Sequence, residues 1–288
     1  MQLNVFLTGA TGYIGGAIAD ALLRAGHSVA GLARSDQAAR RLTAQGITPV
    51  RGDLNTPASL AQAAGDSDGV IHAGTTNDGR MDEAAIQAML DALRDRGKPF
   101  VYTSGIWVLG DTGGKIADET WPIHPSPLVA WRPKVEQMVL AAARTGVRPV
   151  VIRPGIVYGR GGGIPADFVK SARESGVVRY VGAGQNHWPL VHVEDLAQLY
   201  VRALFDAPAG ALLHATDGSS YRVHEIAQAC GGRAESWPLE EAQKTLGPYA
   251  DALVLDQLVS SEKARGTLGW TVRADSILED LRHGSYAL

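Results

Sequence analysis

The chain has 288 residues, 45% of them apolar, and a formal net charge of −3. This is long enough for one large domain, or a core domain with a small lobe, around a sizeable apolar core. Interspersed charge of both signs leaves no basic stripe for nucleic acid and no acidic tail for disorder, and a single cysteine, Cys230, excludes an internal disulfide framework.

In chain order, apolar runs alternate with helical patterns, as in repeated βα units. Val5–Leu7 reads as a strand and Ile14–Ala25 as a helix closed by Gly26. His27–Leu32 reads as a strand and Gln37–Gln45 as a helix. A short strand at Thr48–Arg51 runs into Gly52-Asp53-Leu54, and Ser59–Ala64 is helical. Asp68–His72 is a buried strand, Met81–Arg96 a helix and Pro99–Thr103 a strand. A Gly/Pro-rich loop spans Gly110–Pro127, a helix follows from about Pro133 to Arg144, and Val147–Arg153 is the next strand. After the loop Pro154–Pro165 the pattern loosens. Leu190–Leu204 reads as a helix, Leu212–Ala215 as a strand, and Val223–Cys230 and Ser276–His283 as helices.

Right-handed crossovers would wind these strands into one doubly wound parallel sheet, a Rossmann-type α/β fold with a small C-terminal substrate lobe. The expected division is 1–154, with 189–216 returning to it, as the dinucleotide-binding core, and 155–188 with 217–288 as the substrate lobe. No charged leader precedes the first strand, and no stretch approaches the ~20 apolar residues of a membrane span. Together with one cysteine, this predicts a cytoplasmic protein with no membrane or nucleic-acid partner.

Thr8-Gly9-Ala10-Thr11-Gly12-Tyr13-Ile14-Gly15 follows a strand and opens a helix. Its glycines answer three needs: a tight turn, close approach of backbone to a pyrophosphate, and close packing of helix on strand. The helix N-terminus then offers free N–H groups and the positive end of its dipole. Gly9, Thr11, Gly12, Tyr13, Ile14 and Gly15 are therefore candidate cofactor-binding residues. The second strand ends Leu32-Ala33-Arg34-Ser35. Ala33 occupies the slot where a carboxylate would bind the ribose of NAD. Arg34 and Ser35 instead suit a 2′-phosphate, which predicts NADP(H). Asp36 lies too late for that slot and is expected to cap the next helix.

These motifs resemble the extended short-chain dehydrogenase/reductase family, which includes NAD-dependent epimerases and dehydratases. Thr8–Gly15 is similar to its T-G-A-T-G-Y-I-G and Gly52-Asp53-Leu54 to its G-D-L. Val70–Gly74, Ile152-Arg153-Pro154-Gly155-Ile156-Val157-Tyr158-Gly159 and Val191–Ala197 match three further segments. The resemblance spans nearly the whole chain. It implies that Asp53 and Leu54 meet the adenine, that Ala73 and Gly74 lie beside its ribose, and that Pro154 is in a loop near the nicotinamide.

The family's chemistry uses a Tyr four residues before a Lys on one helical face, with a Ser or Thr sharing the substrate oxygen. The corresponding helix here reads Ser126-Pro127-Leu128-Val129-Ala130-Trp131-Arg132-Pro133-Lys134-Val135-Glu136-Gln137. If Lys134 is the lysine, the tyrosine slot holds Ala130. If Glu136 is matched to the family's Glu, the frame preferred here, Arg132 takes the lysine slot and Leu128 the tyrosine slot. Neither frame supplies a phenol. Counting back from Gly110 puts Gly105 in the family's serine position, and a slip of one residue puts Ser104 there. Catalytic candidates are then Ser104, Arg132, Lys134 and Tyr158, the last more readily explained as structural. Trp107, Trp131, His187 and Trp188 are candidates for the substrate pocket, and with Trp121 they hint at an apolar or aromatic substrate. His192 is expected to be structural, Tyr102 buried, and His124 a weak pocket candidate. No His/Asp/Glu spacing suggests a metal site.

The leading expectation is an NADPH-dependent oxidoreductase acting on a carbonyl of a small, partly apolar molecule. The alternatives are a non-catalytic, NADP(H)-sensing regulator resembling the NmrA-type proteins and an NAD-retaining epimerase or dehydratase. By analogy with the family, a homodimer is also possible.

Overall fold

The computed structural model describes residues 2–76 and 78–287. Its centre is a seven-stranded, wholly parallel sheet in the order β11-β7-β5-β4-β1-β2-β3. These strands are β1 (Asn4–Thr8), β2 (Ser28–Ala33), β3 (Thr48–Arg51), β4 (Gly69–His72), β5 (Pro99–Thr103), β7 (Arg148–Pro154) and β11 (Ala211–Ala215). Short parallel pairs stand apart from it. They are β6 (Ile116–Ala117) with β13 (Leu258–Val259), β8 (Ile156–Tyr158) with β10 (Leu190–His192), and β9 (Val177–Val181) with β12 (Arg233–Trp237).

Alternation along each strand feeds two apolar layers. Val5, Leu7, Ile71, Val101, Val150 and Ile152 face one core, while Phe6, Val70, Phe100, Tyr102 and Val151 face the other. With both faces covered, the inner strands β1, β4 and β5 are almost continuously apolar, as in a buried parallel sheet. Helices α1 (Tyr13–Arg24) and α7 (Val193–Asp206) bury their apolar stripes on the first face. Helices α3 (Pro57–Asp66), α4 (Gly79–Ala92) and α5 (Arg132–Ala141) cover the second. Helix α2 (Asp36–Ala44) lies along the β2–β3 edge.

A separate apolar cluster is built from β8, α6 (Ile164–Ser175), β9, α8 (Val223–Ala229), α9 (Leu239–Leu246), α10 (Pro248–Leu253) and α12 (Ile277–His283). Helix α11 (Glu262–Leu268) and Trp270 pack on the main sheet instead, with the Trp270 indole N–H donating to the Asp195 carbonyl at 2.8 Å. Among the described residues no helix is long and apolar enough to cross a membrane.

Three local expectations need correction. Leu190–His192 is a strand, and the helix begins only at Val193, where His192 accepts a hydrogen bond from the Glu194 N–H at 3.2 Å. The segment after Pro154 is not all loop, since it contains β8 and the start of α6. Ser35, not Asp36, caps α2: its hydroxyl accepts from the Ala38 N–H at 3.1 Å, leaving Asp36 to pair with Arg51.

Candidate functional site

The strand order places a switch point between β1 and β4. The chain leaves β1 toward β2 and β3, then returns to build β4, β5, β7 and β11 on the other side. In open parallel sheets, ligands bind in the crevice at such a point, beyond the carboxyl ends of the strands. The glycine turn follows β1 at that place, and Ala73-Gly74 follows β4. The two are stitched together: the Gly74 N–H donates to the Thr8 hydroxyl at 3.1 Å, and that hydroxyl shares a 2.8 Å hydrogen bond with His72 Nδ1. Burial lowers the His72 pKa to about 4, so the imidazole is neutral at ordinary pH.

The turn leaves room for backbone alone. Gly9 has a φ of +75°, and a Cβ there would come within 2.6 Å of the Ala73 carbonyl oxygen. A Cβ on Gly15 would run into the Gly9 carbonyl. Gly12 precedes α1 with no side chain capping the helix, so the first N–H groups of α1 have no side-chain acceptor from this residue. These features fit a dinucleotide pyrophosphate.

At the end of β2, Arg34 is exposed and forms no ion pair among the described residues, whereas neighbouring Arg51 is committed to Asp36. Asp53 is half-buried and accepts a hydrogen bond from the Asn55 N–H at 2.9 Å; Leu54 is buried. Thr11 is half-buried at the turn. The Tyr13 side chain reaches away from the turn. Its hydroxyl donates to the Gly159 carbonyl at 2.7 Å and its ring lies against Gly162. The side chain thus ties the glycine turn to the 159–163 loop, and only its backbone remains for a pyrophosphate.

Next to this turn lies a cleft of about 480 Å³. Ile14, one residue past Tyr13, forms one wall, and Ser104, Gly105 and Pro154 at the ends of β5 and β7 form its floor. Trp107 comes from the loop after β5; Leu128, Trp131 and Arg132 come from the entry to α5; Ile156, Val157 and Ile164 close the far side. The structure favours one of the two frames left open by the sequence. Leu128 and Arg132 line the cleft, whereas Lys134 is exposed and held by Glu83 at 2.8 Å. Lys134 thus lies outside the cleft, and no tyrosine lines the cleft among the described residues.

Tyr158 also lies outside the cleft. It is fully buried in the smaller lobe, with its hydroxyl 2.9 Å from the Asp275 carbonyl and 3.2 Å from Asp217. Burial pushes its pKa far above the ordinary phenol value. His187 and Trp188 lie outside this cleft as well. His187 Nδ1 is 2.7 Å from Asp256, and the buried Trp188 indole N–H donates to the Leu253 carbonyl at 3.1 Å. His124 is exposed and Tyr102 buried.

Beneath the cleft lies a network that the sequence reading did not identify. Arg153 and Glu136 form a fork-to-fork pair, Nε to Oε1 at 2.9 Å and an NH2 contact to Oε2 at 2.6 Å, with each side chain about 4% exposed. The Ser104 hydroxyl donates to Glu136 Oε1 at 2.5 Å. Its only proton is thereby committed to a buried carboxylate, and toward the cleft it presents lone pairs. Arg132 is complementary. One N–H binds the Thr103 carbonyl at 3.0 Å and the guanidinium lies 5.0 Å from the centre of the Trp131 ring. It is the only charged side chain among the residues lining the cleft. A signal for the network was present in the sequence: Arg153 ends the apolar run Val150-Val151-Ile152, and Glu136 stands at buried helical spacing between Val135 and Val139. Opposite charges at buried positions must find each other.

Comparison with known proteins bears on this geometry. Residues 5–212 match the family model described as the NAD dependent epimerase/dehydratase family. An uncharacterized protein of Saccharomyces cerevisiae is 35% identical over 99% of this chain and 100% of its own length. A 4-hydroxy-2-methyl-3-oxo-4-farnesyl-3,4-dihydroquinoline-1-oxide ketoreductase of Stigmatella aurantiaca is 28% identical over 78% of this chain and 71% of its own. Among solved structures, the Thermus thermophilus UDP-glucose 4-epimerase in complex with NAD superposes with a TM-score of 0.80 at 23% identity, covering 98% of each chain.

Proposed function

Because the chain belongs to the NAD-dependent epimerase/dehydratase family, we propose that it is an NADPH-dependent oxidoreductase acting on a carbonyl or related group of a small, partly apolar molecule. One observation carries the reading: the glycine turn and an apolar cleft with two polar groups, Ser104 and Arg132, share the wall residue Ile14.

The backbone of Gly9 to Gly15 would hold a pyrophosphate, Arg34 and Ser35 a 2′-phosphate, Asp53 and Leu54 the adenine, and Ala73 and Gly74 its ribose. Pro154 would border the nicotinamide. When bound, the nicotinamide supplies or accepts the hydride. The chain's part is to bind, orient and polarise. Trp107, Trp131 and Leu128 exclude water from the cleft and so strengthen charge interactions inside it. Arg132 turns its free N–H groups toward a carbonyl oxygen and stabilises the negative charge that develops there, and a proton from solvent completes the alcohol as the product leaves. Ser104 accepts a hydrogen bond from a hydroxyl or N–H neighbouring the reacting carbon. The Glu136–Arg153 pair fixes that polarity. The ketoreductase of Stigmatella aurantiaca, whose name describes a bulky apolar ketone, supports carbonyl chemistry of this type.

A second reading rests on Leu128, which the Glu136 frame of the sequence puts in the tyrosine slot and which lines the cleft. A protein that binds NADP(H) as a sensor without turnover has no need of an acid there. Incubation with NADPH and a panel of aldehydes and ketones, followed by loss of nicotinamide absorbance, separates the two. Turnover lost in Arg132→Ala supports the oxidoreductase. Tight NADPH binding with no turnover across the panel overturns it in favour of the sensor.

A further inference from the structure

The cleft has a neighbour. A second cavity of about 270 Å³ lies inside the smaller lobe between α6, β9 and α10. Ile164, at the start of α6, lines both. The cavities meet again through a ring pair, since Trp107 of the cleft stands edge-on to Tyr249 of the chamber with centroids 6.0 Å apart.

The chamber's walls are four aromatic side chains, Phe168, Trp188, Trp237 and Tyr249, completed by Leu246 and Leu253. Phe168 is stacked on Trp188 with centroids 5.7 Å apart. The Trp188 N–H is already spent on the Leu253 carbonyl, so this indole offers the cavity only carbon surface. The charged rim consists of Arg179 and Asp167, one of each sign. A nucleoside diphosphate carries several negative charges that call for converging donors. One guanidinium in a lining that also carries a carboxylate does not meet that need. Apolar cavities of roughly 150 Å³ admit a benzene ring, so this chamber has room for a fused bicyclic ring, and its walls favour stacked or edge-on aromatic contact.

We infer that this chamber is the subsite for the tail of the substrate, and that the substrate class is a carbonyl compound bearing an uncharged aromatic tail, not a sugar nucleotide. The inference rests on the oxidoreductase reading of the cleft and adds what the far end of the substrate must be. The carbonyl sits by Ser104 and Arg132, and the tail passes along Ile164, beside the Trp107–Tyr249 ring pair.

The test is equilibrium binding of 2-naphthol to the NADPH-saturated protein, read by its fluorescence. Two variants change the chamber in opposite ways: Leu246→Trp fills it, and Trp237→Ala removes a wall. Both are expected to weaken naphthol binding by at least ~10-fold, while a thermal melt shows that each is folded. UDP is expected not to displace the probe. Unchanged affinity in whichever variants fold, or displacement by UDP, overturns the assignment. The underlying reading fails differently: naphthol binds as described, yet no carbonyl compound is reduced.

Discussion

Replacing Glu136 by Gln should be among the most costly single changes in the protein, and the structure says why. The carboxylate is buried, carries a charge, and is satisfied by three donors: two from Arg153 and one from Ser104. The amide keeps the shape but cancels the charge, leaving the Arg153 guanidinium uncompensated in a site where it is about 4% exposed. Breaking one side of a buried pair costs about 3–5 kcal/mol, which for a chain of this size lowers the melting temperature by roughly 6–20 °C. Ser104→Ala removes only the hydroxyl donor, a loss of about 1.5–3 kcal/mol. Lys134→Ala breaks an exposed pair and should cost at most about 1 kcal/mol. Replacing Glu136 and Arg153 together by Met removes both charges, so its cost should fall well short of the sum of the two single replacements. Urea denaturation of the unmodified protein, these three variants, the two single Met replacements and the double replacement measures the series. A Glu136→Gln variant no less stable than Lys134→Ala, or additive costs for the double replacement, would refute the account of the network.

Two further outcomes follow from the site. Gly15→Val places side-chain atoms against the Gly9 carbonyl, so dinucleotide binding should fall by at least ~100-fold; unchanged binding in calorimetry would show that this turn does not hold the pyrophosphate. The buried imidazoles make stability depend on pH. Burial holds His72 at about 4 and His214 at about 3, below the ordinary histidine value, so the unfolded chain takes up protons first as pH falls. Their contribution is complete above about pH 6.5 and is lost on acidification toward those lower values, by up to roughly 1.4 kcal/mol per pH unit for each histidine. The urea midpoint should therefore drop between about pH 7 and about pH 5, and a flat profile would contradict neutral burial.

The half of the chain legible in the sequence is the half governed by periodic burial. Strands such as Val5–Leu7 and Pro99–Thr103 lie in a sheet covered on both faces, and long amphipathic helices separate them, so each element announces itself by its apolar pattern. The smaller lobe lacks that regularity. β9 and β12 pair only with each other and are partly exposed, and α9 and α10 are each about two turns long, with Gly247 between them. Short elements carry too few positions to show a period. At the site, the glycine turn was legible because steric demand dictates residue type, as at Gly9. The placement of Tyr13, Tyr158 and Lys134 was not, because side-chain direction depends on neighbours distant in the chain: Gly159 for Tyr13, Asp275 for Tyr158 and Glu83 for Lys134. The same holds for Ser104, whose proton is claimed by a helix 32 residues away.

We propose that the glycine turn and Arg34 together hold a dinucleotide bearing a 2′-phosphate. The most direct test is a side-by-side titration of the protein and its Arg34→Ala variant with NADPH and NADH, following tryptophan and nicotinamide emission. The account predicts NADPH binding at least ~10-fold tighter than NADH, a difference of about 1.4 kcal/mol, and loss of that preference in the variant. Equal or NADH-favoured binding in the unmodified protein would contradict it.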